Sequence, residues 1–334
     1  MNTSENRESP LVSVVTPVFN GAAHLDECIE SVRRQTYSNL DYVIVNNCST
    51  DDTARIAARH VAEDPRIRVV HNSRFMPLID NWNHALQAIH EQSRYVKVVH
   101  ADDMLFEECV EKMVDVAERH PRVGLVGAYV RKGSRIIGAK FPFPDEVRSG
   151  REVVKETFKK EYYVFGSPSS TLIRADLVRG KDHFYNDENF HADVEACFAI
   201  LRHHDFGFVH QVLTFTREHE FSQTENVSKP YKTNLLENNL SMLRRYGPEV
   251  LSEAELDSLT QGVMRHYYAE LARDLGRLKE PKFRDHQRRT LRRLGMKMQT
   301  RRLAAAVVSR AAGALLCPQV VLSKLLRRRS AEAP

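Results

Sequence analysis

No run of about 18 uncharged apolar residues occurs in this 334-residue chain, so nothing in it reads as a membrane-spanning helix. The first ten residues, MNTSENRESP, have no apolar core, and a secretory leader is therefore not expected. Cysteine is scarce and scattered. Cys28, Cys48, Cys109, Cys197 and Cys317 stand singly, without metal-ligand spacing. An odd, dispersed set predicts reduced intracellular thiols, not a disulfide framework or a zinc site. Internal repeats and low-complexity tracts are also missing.

What remains is the composition of a soluble globular protein, 42% hydrophobic and 28% charged. The length suits one large α/β domain, or one such domain plus an appendage. A net charge of +5 hides an asymmetry. Residues 265–334 hold 18 Lys/Arg against 5 Asp/Glu, a net +13, while the preceding 264 residues hold 31 basic and 39 acidic, a net −8. A mildly acidic body thus carries a strongly basic tail, which predicts contact with an anionic surface.

Short β-branched runs alternate with helical patterns over residues 11–126. LVSVV (11–15), YVIV (42–45), IRVV (67–70), YVKVV (95–99) and VGLVG (123–127) read as strands apolar enough to be covered on both faces. Leu25, Cys28, Ile29 and Val32 repeat at helical spacing between them, as do Trp82, Ala85, Leu86 and Ile89, then Val110, Met113, Val114 and Ala117. Trp82 is taken as core. The alternation implies a doubly wound, mostly parallel sheet with ligands at the carboxyl ends of its strands. From 128 to 232 the pattern loosens. Residues 131–150 read as a loop or hairpin, SSTLIR (169–174) as a strand, and a helix is expected from about Asp193. TREHEFSQTENVSKP (216–230) reads as a polar lid. Leu256, Leu259, Val263, Tyr267, Leu271, Leu275 and Leu278 predict one long helix packed on the main domain. Residues 301–330 read either as two short amphipathic helices in a membrane interface or as helices packed on the body.

Three polar segments follow directly on predicted strands: TPVFN, NNCSTDD and HADD. In the first two, Asn20, Ser49 and Asp51 suit helix caps, and Asn47 with backbone groups suits a nucleoside equally. Asp102 and Asp103 admit the same pair of readings, a helix cap or a divalent-metal site made of hard oxygen donors. Asp193, in NFHADVEACFAIL, suits the N-cap of a helix.

TPVFN, then QTYSNLDYVIVNNCSTDDT, then HADD, over residues 11–220, resembles the family 2 glycosyltransferases, whose pattern opens P-x-y-N, E-x-x-V-V-D-D-G-S-T-D, and a D-x-D region. The resemblance implies a GT-A-like, Rossmann-like α/β fold with a C-terminal helical extension. It implies Thr16, Pro17 and Val18 lining a base, with Asn20 in the same turn. Asn47 would stand where an Asp contacts a pyrimidine, and Asp41 where a Glu heads the strand. It further implies Asn83 near the nucleotide and Arg217 at the diphosphate. Asp102, Asp103 and His219 would hold Mg2+ or Mn2+. His100 stands where the family has its first acid. Asp193 is the implied base, with Glu188 and Glu195 as lesser candidates, and GSPSSTLIR (166–174) is the acceptor-side segment.

The expected activity is metal-dependent, inverting, non-processive transfer of one sugar from a UDP-, dTDP- or GDP-sugar to a hydroxyl of a polysaccharide, glycolipid or similar acceptor. The Q-x-x-R-W block of processive members is missing. The alternatives are a nucleotidyltransferase, disfavoured because TPVFNGAAH has no basic residue for a phosphate loop, and an inactive binding module of the same fold. The organisation expected is a disordered 1–10, a catalytic domain over 11–232 (nucleotide half 11–127, acceptor half 128–232), a helical extension over 233–300, and a basic amphipathic tail over 301–334. A cytoplasmic protein, peripheral on the inner face of the cell membrane through 301–330 and without a nucleic-acid partner, fits that layout.

Overall fold

A computed structural model describes residues 9–160, 163–189, 191–217 and 234–316. The chain forms two compact units, one on each side of the interval 218–233. In the first, the order is β1 (Val12–Val18), α1 (Leu25–Arg33), β2 (Leu40–Asn46), α2 (Thr53–Glu63), β3 (Ile67–His71), α3 (Leu78–Gln87), β4 (Tyr95–Val98) and β5 (Met104–Leu105). There follow α4 (Cys109–Arg119), β6 (Val123–Lys132), β7 (Arg135–Ile137), β8 (Val147–Arg148), α5 (Gly150–Lys159), β9 (Leu172–Arg174), α6 (Ala192–Leu201) and β10 (Asp205–Thr216).

One ten-stranded sheet organises them, in the order β3-β2-β1-β4-β9-β6-β10-β5, with β7 on β6 and β8 on β10. β3, β2, β1 and β4 pair in parallel, as do β6 and β10. β9 runs antiparallel between β4 and β6. β1 is buried at all seven positions, the consequence of helices covering both faces. On α1, Leu25, Cys28, Ile29 and Val32 are fully buried at the predicted spacing; burying a Leu or Ile in this way contributes about 1.5–3 kcal/mol.

The five predicted strands of the first half are all present, with edges shifted by a few residues. The second half differs more. The 12-residue β10 follows a sequence, DFGFVHQVLTFT, whose alternation is broken by register shifts between Val209 and Val212 and between Val212 and Thr214. Bulges of this kind scramble the period-two pattern that marks a strand. The SSTLIR strand shrinks to Leu172–Arg174, because Pro168–Ser170 forms a 3-10 turn. Residues 131–150 do contain the hairpin, with β6 and β7 joined around Gly133 at φ +56°.

The second unit is helical: α7 (Asn234–Val250), α8 (Glu253–Arg273), α9 (Pro281–Arg293) and α10 (Thr300–Leu316). Ser252 and Glu255 form a capping box at the head of α8. The apolar stripe from Leu256 to Leu278 is not one helix. α8 stops at Arg273, and Leu275 and Leu278 fall in a 3-10 segment, Leu275–Lys279. Met264, Tyr267, Tyr268 and Leu271 of α8 form a core with Leu240 of α7 and Phe283 and Leu291 of α9. Leu303 and Ala306 of α10 pack against that core, and Arg310 donates to the Ala272 carbonyl at 2.7 Å. The described part of the basic tail is therefore a packed helix, and residues 317–334 lie outside the described residues. Among the described residues no helix is long and apolar enough to cross a membrane.

Candidate active site

The turns after β1 and β2 are stitched to each other. Asn20, at φ +50°, accepts from the Thr50 amide at 2.8 Å, and its own amide donates to Ser49 Oγ at 2.9 Å. Asp51 accepts from the amides of Ala22 and Thr53, each at 3.0 Å. These residues tie two loops together; the helices behind them start instead from His24 and Asp52. Gly21 has no alternative, since a Cβ there would meet Val18 Cγ2 at 2.5 Å and Ala101 Cβ at 3.3 Å. The first turn thus packs directly on the HADD segment.

Thr16 and Val18 point into the core. The Thr16 hydroxyl is fully buried and bonds the Tyr42 hydroxyl at 3.0 Å, Val18 belongs to the apolar core, and Pro17 is buried in β1. Asp41 lies at the opposite end of β2, held by Arg68 and Ser13. Asn47 is buried and committed. Its Oδ1 accepts from Asn72 Nδ2 and from the Met76 amide, both at 2.9 Å, and its Nδ2 donates to the Met76 carbonyl at 2.8 Å. Both lone pairs are occupied, so in this arrangement Asn47 has a donor hydrogen to offer a base, not the acceptor the resemblance implies. Beside it, Phe19 and Phe75 form an edge-to-face pair at 4.9 Å that stays 48% and 56% exposed.

Asn83 is buried, not a helix-surface residue. It bonds both sides of the Tyr185 main chain at 2.8 Å, accepting from the amide and donating to the carbonyl. Trp82 is not core: it is half-buried and lies against the His100 ring at 4.8 Å and the Tyr185 ring at 5.5 Å.

His100, Asp102 and Asp103 bring one donor atom each to within 4.8 Å of one another. Asp103 caps no helix, because β5 follows it and α4 begins only at Cys109. Its carboxylate accepts from the Arg217 amide at 3.3 Å and from Ser167 Oγ at 3.4 Å, and burial pushes its pKa up. Arg217 also donates to the Asp102 carbonyl at 3.3 Å and pairs with Glu27 at 2.5 Å. Behind them, Lys97 is completely buried in β4 and donates to the Ser169 carbonyl at 2.7 Å, while Ser169 Oγ accepts from the His100 amide at 3.0 Å. Gly166, at φ +64°, leaves room for the Ser170 hydroxyl, which a Cβ would meet at 2.3 Å. His219 lies outside the described residues.

Asp193 sits in the first turn of α6, one residue inside the helix start and not at its cap, which is His191. Burial pushes its carboxyl above the ordinary range, while the charges of His191 and His100 pull it back in part. A small cavity in front of it is lined by Phe165, Ser167, Tyr185 and Cys197. Glu195 is buried and accepts from Asn186 and Asn189, at 2.9 and 2.7 Å, and Glu188 is exposed on the preceding loop. The segments GSPSSTLIR and TPVFN contain Ser167 and Phe19, but nothing in the sequence sets Ser167 apart from its neighbours or pairs Phe19 with Phe75; the fold does both.

In the first unit, the described buried side-chain atoms without a hydrogen-bond partner are Asn72 Oδ1, His100 Nε2 and Thr216 Oγ1. All three stand at the carboxyl ends of parallel strands. Each such atom costs about 1–3 kcal/mol, and their clustering on one edge marks a face built for a ligand. An imidazole with an orphaned nitrogen in a cluster with two carboxylates suits a divalent ion in particular.

Residues 13–176 match the family described as Glycosyl transferase family 2, and the chain carries a family 2 glycosyltransferase domain on a GT-A fold. It is 29% identical over 126 residues to glycosyltransferase GlyG of Streptococcus pneumoniae serotype 4, covering 36% of this chain and 40% of that protein. Four curated relatives are matched over 13 to 43% of their own length, so the chain spans less than half of each. Among solved structures, S. aureus TarS residues 1–349 in complex with UDP-GlcNAc superposes with a TM-score of 0.60 at 15% identity, over 82% of this chain and 77% of that one. The mannosyltransferase PcManGT from Pyrobaculum calidifontis, in complex with GDP-Man and Mn2+, gives 0.53 at 14% identity, over 95% and 84%.

Proposed function

We propose that the chain is a metal-dependent, inverting, non-processive glycosyltransferase, taking one sugar from a UDP-, dTDP- or GDP-sugar to a hydroxyl of a saccharide or glycolipid. One observation carries this reading. Ser167 donates to Asp103 and also lines, together with Asp193, the same small cavity, so the acids of a donor site and a base candidate converge on one place. Asp102, with Asp103 and His100 beside it, would hold a divalent ion, and that ion would supply charge neutralisation for the departing diphosphate. Arg217 adds a second cation there.

The residues divide the rest of the work. Phe19 and Phe75 offer a platform on which a base stacks, and Asn47 offers one N–H to a base carbonyl. Asp193 accepts the proton of the acceptor hydroxyl as its oxygen attacks the anomeric carbon. A carboxyl raised by burial is a stronger base than an exposed one, which suits that task. Neighbours solved with UDP-GlcNAc and GDP-Man support a nucleotide-sugar donor.

The test is a donor screen over UDP-, GDP- and dTDP-sugars with Mn2+. Asp193→Asn should lower turnover by at least about a hundredfold and leave nucleotide affinity within twofold of the parent (about 0.4 kcal/mol). Unchanged turnover removes Asp193 as base.

A further inference from the structure

His100 both departs from the family pattern and is left with an unanswered polar atom. His100 is anchored at its backbone, through the amide to Ser169 Oγ at 3.0 Å and the carbonyl from Cys28 Sγ at 3.4 Å. Its ring is steadied by Trp82, with centroids 4.8 Å apart and planes 31° from each other. Yet Nε2 is buried and has no partner among the described residues.

Carboxylates lie close on two sides. Asp102 and Asp103 bring oxygens to within 4.8 Å of a ring nitrogen, and Asp193 is near enough to feel the ring's charge. An imidazole beside several acids ordinarily closes onto one of them as an ion pair. Here no such bond forms among the described residues. Ligands about 2.0–2.3 Å from one small cation gather at close range, and His100, Asp102 and Asp103 are grouped in that way.

We infer that His100 is a nitrogen ligand for the divalent ion held by Asp102 and Asp103, giving this chain a mixed N,O site that selects Mn2+ over Mg2+. Mg2+ keeps to oxygen donors and water, so a nitrogen ligand penalises it more than a first-row transition ion such as Mn2+. An aspartate at this position would add an oxygen donor that suits Mg2+ and Mn2+ alike. The inference rests on the metal-dependent reading above and goes beyond it, in assigning one ligand and one selectivity.

The experiment is pulsed electron paramagnetic resonance on the full chain with Mn2+, alone and with UDP or GDP, reading 14N couplings to the bound ion. Wild type is expected to show nitrogen coupling that persists in His219→Ala and disappears in His100→Asp. In parallel, His100→Asp should lower the Mn2+:Mg2+ affinity ratio about tenfold or more, read by competition calorimetry. Should His100→Asp fail to fold, His100→Gln carries the same test. Bound Mn2+ without nitrogen coupling, or with coupling that disappears in His219→Ala, overturns the inference and leaves the metal-dependent reading standing. No bound Mn2+, with or without nucleotide, overturns both.

Discussion

Asp193 owes its chemistry to two opposed effects at one carboxyl. Burial raises its pKa, and the charges of His191 and His100 lower it; burial also lowers the pKa of His191. A base works only when deprotonated, so activity should rise with pH through a carboxyl that titrates above its ordinary range. His191→Gln removes one of the lowering charges, and the acid limb of the kcat/KM profile should then move to higher pH; a limb that stays or moves down contradicts this account. Stability carries the same signature. The folded chain holds the Asp193 proton to higher pH than the unfolded chain does. The resulting stabilisation is full below the ordinary carboxylate pKa and declines as pH rises toward the raised value. Asp193→Asn should lose that slope in a thermal-melting series. The sequence marked this residue, as it marked Asp102 and Asp103, because an acid just after an expected strand or at a helix start is a local signal. It was silent on Lys97, which sits inside the apolar run YVKVV and whose bond to Ser169 joins residues 72 apart.

At the scale of elements, the site depends on clamps that fasten irregular chain to the sheet and its helices. Asn83 of α3 holds the main chain of Tyr185 from both sides across 102 residues. Glu195 of α6 gathers Asn186 and Asn189 from the same stretch. Together they set the path that delivers Asp193. Asn83→Ala leaves a buried N–H and C=O unpaired, at about 1–3 kcal/mol each, so the melting temperature should fall and transfer should slow while nucleotide affinity holds. Loss of nucleotide affinity in parallel would restore the direct contact that the sequence resemblance suggested for Asn83. Elements with clean periodicity, β1 through α4, were readable in advance because burial on both faces or on one stripe writes itself into spacing. β10 was not, since its bulges erase that spacing, and the clamps were not, because a buried Asn and a surface Asn look alike until the chain is folded.

The whole molecule joins an acidic catalytic body to a basic helical unit, and the structure shows which element presents the positive charge of residues 265–334. Of the two readings open for 301–330, α10 takes the packed one, with Leu303 and Ala306 in the core and Arg302 bonded to Gln261 at 2.8 Å. α9 buries Phe283, Gln287, Thr290 and Leu291 on one side. On the other it exposes Lys282, Arg288, Arg289, Arg292 and Arg293, followed by exposed Lys297 and Arg301. None of these makes an ion pair among the described residues, so the face carries uncompensated charge. We propose a phospholipid surface of opposite sign as its partner. Each cation near such a surface contributes about 1 kcal/mol. Replacing Arg288, Arg289, Arg292 and Arg293 by Gln should therefore weaken binding to phosphatidylglycerol vesicles by about a thousandfold at low salt. Added salt should weaken wild-type binding in the same direction, because the attraction acts within a Debye length. Sedimentation with vesicles of graded anionic content measures both. Undiminished binding of the fourfold variant, combined with release on deleting 317–334, would return the membrane contact to the distal tail.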